Sequence, residues 1–148
     1  MSAFWFYPFI VIAGALQAFG AVMNGQLRIY LVNSWLASLV SFLPAVLFFA
    51  AIFAVLPRPL PSAENVSAMP WWAPLGGLTG AVAVFAGLTL IDKVGAGPLT
   101  GLLITANILA SLAIDNYGLL NMPIHELNGW RILGGFFMVA GVALITRF

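Results

Sequence analysis

Of 148 residues, 63% are hydrophobic and only 6% charged, with five basic against four acidic side chains and a formal net charge of +1. A soluble domain carries about 25% charged residues, so this composition belongs to a membrane protein, and its near-neutral balance excludes a nucleic-acid-binding surface. With no cysteine and one histidine, His125, the chain offers no disulfide, no thiolate nucleophile and no histidine metal cluster.

A membrane-crossing helix needs about 20 mainly apolar residues. Five stretches qualify, at 4–23, 35–56, 71–91, 96–114 and 130–145. They predict an all-α integral membrane protein with one membrane domain over 1–148 and short loops. The first segment opens at Phe4 and Trp5. It is not read as a signal peptide, because a basic leader is missing and the apolar run passes into Asn24 and Gln26. Gly14, Gln17, Ala21, Asn24 and Arg28 follow one another at helical spacing and fall on one stripe. The remaining positions are largely Phe, Ile, Val and Leu, which suit lipid, so the stripe faces protein or water. Arg28 is expected to snorkel to the interface.

The second segment starts at Trp35 and contains Pro44, which frees a carbonyl and is expected to kink the helix. A proline-rich loop, 57–70, follows; its Asn65-Val66-Ser67 sequon is too short a motif to carry a conclusion. The third segment starts at Trp71 and Trp72, rings suited to the headgroup level. Its Gly76, Gly80, Ala83 and Gly87 form a small-residue stripe that lets another backbone approach. After the tight Asp92-Lys93-Val94-Gly95 turn, the fourth segment carries Thr100, Asn107, Ser111 and Asp115 on one side. Asp115 stands at the segment's end, where it serves either as a solvated partner for a nearby base or as the ionisable group of a site. His125 and Glu126 read as a solvated pair in the next loop. The fifth segment starts at Trp130, and Gly134 and Gly141 offer a second packing stripe.

The positive-inside count barely decides orientation. Arg58 and Arg131 fall on one side of a five-span chain; Arg28, Lys93 and Arg147 fall on the other. So slight a bias suits insertion both ways up and an antiparallel homodimer, since an odd number of spans is what an inverted repeat requires. No nucleophile elbow, metal-ligand spacing, phosphate loop or paired intramembrane carboxylate is present, so neither an enzyme nor a cofactor is expected.

Four stretches carry a family likeness. "GALQAFGAVMNGQLRIYLVNSWLASLVSF", "PWWAPLGGLTGAV", "LLITANILASLAIDNYGLL" and "WRILGGFFMVAGVALI" resemble, in order and spacing, the small YdcZ-like members of the drug/metabolite transporter superfamily. The resemblance implies a multi-pass protein of the bacterial inner membrane, forming the five-helix half of a ten-helix inverted-repeat transporter. It also implies a cavity for a small organic solute between two inverted halves. Gln17 and Asn24 match the family's amides in segment one, and Asp115 its segment-four aspartate. Where the family pattern has Gly-Gln, this chain has Ala106-Asn107, an amide one methylene shorter.

The substrate-cavity candidates are therefore Gln17, Asn24, Asn107, Ser111 and Asp115, with Gly76, Gly80, Gly87, Gly134 and Gly141 as helix-packing positions. Gln17 and Asn107 suit interhelical bridges equally well. The absence of a carboxylate at mid-depth favours a neutral, zwitterionic or anionic solute, or uncoupled diffusion. Three functions stay open: a secondary transporter built as a homodimer, a dual-topology channel with a polar pore, and a subunit needing an oppositely oriented partner chain.

Overall fold

The structure, a computed structural model, describes residues 6–56 and 58–148. Trp5, the start of the first predicted segment and Pro57 lie outside them. Among the described residues there is no strand. The chain runs through α1 (Phe6–Leu31), α2 (Ser34–Val55), a short α3 (Ala63–Ser67), a 3-10 turn (Ala73–Leu75) that leads into α4 (Gly76–Val94), α5 (Ala96–Tyr117), a second 3-10 turn (Leu119–Asn121) and α6 (Gly129–Arg147). Five of these helices (α4 taken with its leading turn) are long and apolar enough to cross a membrane. The protein is an all-α membrane protein.

Helix α1 extends past Met23, where the apolar run thins, to Leu31. Gln and Arg are good helix formers, and nothing between Asn24 and Leu31 breaks the ladder. At about 1.5 Å per residue its 26 residues span about 39 Å, more than the hydrocarbon core of about 30 Å. Arg28 stands in the last turn of that helix. Helix α5 likewise runs beyond 114 to Tyr117, which puts Asp115 on the helix itself. Helix α2 continues through Pro44 to Val55.

The apolar residues are turned outward. Large side chains such as Phe9, Phe19, Phe49, Trp130 and Phe136 are exposed, and the residues buried to the level of a core are few, Ala37, Leu88, Ile91, Leu99 and Val142 among them. In water this surface would aggregate; in lipid it is the expected solvent contact, and backbone groups are satisfied within each helix.

Two compact units divide the chain, one up to Thr89 and the other from Leu90 to Phe148. In the first, α1 and α2 pair through a two-residue turn. Val32 adopts a left-handed backbone there (φ 59°), a costly conformation for a β-branched residue. Asn33 then caps α2, its Oδ1 accepting from the backbone N–H groups of Trp35 and Leu36 at 2.9 and 3.2 Å. Gly25 and Ala37 are the buried residues of the two helices. Phe85 of α4 lies against Trp35, with ring centroids 4.5 Å apart.

In the second unit, α5 and α6 form an antiparallel hairpin whose seam is made of glycines. A Cβ on Gly97 would meet Ile145 at 3.9 Å, one on Gly101 would meet Val142 Cγ2 at 2.9 Å, and one on Gly135 would meet Leu109 at 3.2 Å. Gly118, in the left-handed region (φ 59°), ends α5. A side chain there is excluded twice over, by backbone conformation and by Ile124, whose Cγ1 lies 2.7 Å from the Cβ position.

Candidate functional site

Each polar candidate is held by a helix. Gln17 stands near the middle of α1 and Asn107 near the middle of α5, both with exposed side chains. Among the described residues neither side chain is hydrogen-bonded, and no charged residue adjoins them in sequence. Ser111, one turn beyond Asn107, is also exposed. The α1 candidates belong to the first unit and the α5 candidates to the second.

Asn24 is half-buried. Ser41 of α2 donates its hydroxyl to Asn24 Oδ1 at 2.7 Å, a short bond that ties the two helices together. One turn farther along α1, Arg28 Nε donates to Ser34 Oγ at 3.2 Å. Ser38 instead donates to its own helix, to the Ser34 carbonyl at 2.9 Å. Ser34, Ser38 and Ser41 recur at helical spacing along α2. That polar stripe was the available signal for the inner face of α2, and sequence reasoning passed over it.

Asp115 is gathered into a polar clamp at the loop end of α5 and α6. Its carboxylate lies 3.7 Å from Arg131 Nη1, both side chains being about one-third exposed. The same Nη1 donates to the His125 carbonyl at 3.1 Å, and His125 N–H donates to the Asp115 carbonyl at 2.9 Å. Leu127 N–H donates to Asn116 Oδ1, and Asn128 caps α6 by accepting from Arg131 N–H. His125, predicted as half of a solvated pair with Glu126, thus contributes its backbone to the clamp and turns its ring nitrogen Nδ1 toward the Pro123 carbonyl. The ion pair is long and partly wet, so its worth is small. Asp115→Asn is expected to lower stability by less than about 1 kcal/mol, read as the midpoint of detergent unfolding; a loss several times larger would make the carboxylate the keystone of the loop.

The glycines divide into two sets. Gly87 is buried. Gly76, Gly80, Gly134 and Gly141 face open space, with no atom within 4 Å of the position a Cβ would take. The glycines that seat a side chain of the facing helix in the α5–α6 hairpin are Gly97, Gly101 and Gly135, and the first two form a G-x-x-x-G motif legible in "GPLTG". Gly134 and Gly141 line a shallow groove of about 400 Å³ beside Gly101, Phe137 and Ile145. A second groove, of about 460 Å³, lies between α5 and α6 nearer the clamp, walled by Leu109, Leu112 and Phe136 with Tyr117 and Arg131 at its polar end.

Comparison with known proteins bears on all of these helices. Residues 5–144 match the family described as "Putative inner membrane exporter, YdcZ". Over 84 residues the chain is 31% identical to the inner membrane protein YdcZ of Escherichia coli (strain K12), a match that takes in 57% of this chain and 56% of the relative. The match thus spans about half the length of that relative. No solved structure matches the chain. The family match covers the whole run from α1 into α6, including every polar candidate, and five apolar helices of membrane-crossing length accompany it. The chain belongs to the YdcZ family of the drug/metabolite transporter superfamily and is a multi-pass protein of the inner membrane.

Proposed function

We propose that the chain, folded as one membrane domain over 1–148, is a secondary transporter for a small organic solute and works as an antiparallel, dual-topology homodimer. Each copy supplies one five-helix half of a ten-helix inverted repeat. The solute cavity lies between the inverted protomers, lined by Gln17, Asn24, Asn107 and Ser111, with Asp115 at its edge. Gly76, Gly80, Gly134 and Gly141 are the surfaces on which helices outside the single chain's own packing close.

One observation carries this reading. Gln17 and Asn107 expose their amides near the middle of apolar helices, where a lipid tail satisfies neither donor nor acceptor. Polar side chains at that depth face a bundle interior or a water-filled cavity. A second copy together with an enclosed cavity supplies both kinds of cover. The near-even charge count supports the inverted arrangement, and alternating access then follows from rocking one protomer against the other about a central site.

Orientation tests the proposal. Reporters active only inside or only outside the cell are fused after Phe148, in the original chain and with one lysine added in the 58–70 loop. Activity of both reporters in the original chain, tipped to one side by the single lysine, is the expected result. A C-terminus found on one side alone would remove the antiparallel homodimer and direct the search to an oppositely oriented partner chain.

A further inference from the structure

Asn24 differs from the other two amides in having one of its ends already engaged. A primary amide offers two donors on nitrogen and an acceptor on oxygen. Ser41 donates to the oxygen at 2.7 Å, and Ser41 is the side chain's one hydrogen-bond partner among the described residues. No buried side-chain nitrogen or oxygen is left without a partner among those residues. The unengaged Nδ2 of the half-buried Asn24 is therefore not sealed within the helix pair. What α1 presents at this point is a donor, with its acceptor turned into the seam with α2. Ser41 has an alternative that it does not take: Ser38, one turn earlier, spends its proton on its own helix. The two helices also carry no Asp or Glu anywhere along 6–55, so an ammonium arriving here would find no carboxylate on them.

We infer that Ser41 fixes Asn24 as a hydrogen-bond donor, and that the cavity takes solutes presenting a carbonyl or carboxylate oxygen at this point in preference to amines. The inference rests on the transporter reading above and narrows its solute class. A carboxylate accepts from Nδ2; an alkylammonium has three donors and no acceptor and sets N–H against N–H. Ser41 acts here as a positioning residue. Without its hydroxyl the amide is free to turn over and offer its oxygen outward, so selectivity falls while the helix pair remains.

The test uses the purified full chain in lipid nanodiscs and matched probes: butyrate with butylammonium, and benzoate with benzylammonium, measured by equilibrium binding. Each acid is expected to bind about tenfold more tightly than its amine, the worth of one hydrogen bond against one unpaired donor. Ser41→Ala is expected to bring that ratio near unity, Ser41→Thr to restore it, and Asn24→Asp, which presents acceptors, to invert it. Amines binding as tightly as acids would overturn the inference and leave the transporter reading standing, as would a ratio that survives Ser41→Ala. Binding by neither series would also overturn it, and the orientation reporters then decide the transporter reading separately.

Discussion

Gln17→Leu and Asn107→Leu are each expected to weaken solute binding by about 10- to 100-fold while the chain stays folded and paired with its copy. The two effects come apart because the two environments value an amide differently. A hydrogen bond between helices in a bilayer averages about 0.6 kcal/mol and reaches at most about 1.7 kcal/mol. That is too little to dissolve an interface built from whole helix faces. A solute group left without its partner once the cavity has closed on it and water has been displaced costs more, about 1–3 kcal/mol for each unsatisfied donor or acceptor, which is the stated loss in affinity. Leucine is otherwise well suited to both positions, since the neighbours of Gln17 and Asn107 along α1 and α5 are mainly apolar. Crosslinking of the reconstituted protein reads the pairing, and binding of the acid and amine probes reads the cavity. Loss of the dimer with either substitution would turn these amides into bridges between copies and take them out of the cavity.

These positions also show how far the sequence carries. The five helices were legible because the bilayer imposes a length and a composition that no loop can imitate, and tryptophans and prolines punctuate the chain near their ends. The end of α1 was harder to read. Hydropathy stops at Met23, but the helix stops at Val32, where the backbone turns left-handed. A span edge and a helix end are different physical events: the first is set by transfer free energy and the second by backbone geometry. Of the candidate site, the stripe of Gln17 and Asn24 was readable from spacing, whereas the engagement of Asn24 by Ser41 was not, because a pairing across 17 residues depends on how two helices are rotated against each other. Asp115 shows the same limit. Its position at a segment end was visible, but its clamp with Arg131 and the His125 carbonyl requires a loop path through the left-handed Gly118, Leu120 and Asn121, which no local pattern dictates.

The glycines supply the sharpest contrast in expected effect. Gly101→Leu is expected to open the α5–α6 hairpin, at a cost of about 3 kcal/mol or more, the upper end of what overpacking a tight contact produces. Even the first added carbon would stand 2.9 Å from Val142 Cγ2 and 3.8 Å from its Cβ, closer than carbon atoms tolerate. Valine is β-branched and stiff about χ1, so it has little freedom to swing aside, and α6 must move away. The smaller change Gly101→Ala is expected to be destabilising by itself and largely rescued by Val142→Ala, because the two act on one contact and their effects do not add. Gly80→Leu should behave differently, since nothing lies within 4 Å of its Cβ position. The single chain is expected to unfold in denaturing detergent at an unchanged midpoint, with any loss confined to association between copies. Detergent titration of the monomer alongside crosslinking in lipid separates the outcomes. A monomer destabilised by Gly80→Leu as much as by Gly101→Leu would mean that α4 packs within its own chain along the face that Gly80 presents. The open glycines would then be part of the fold, and the surface assigned to the second copy would have to lie elsewhere.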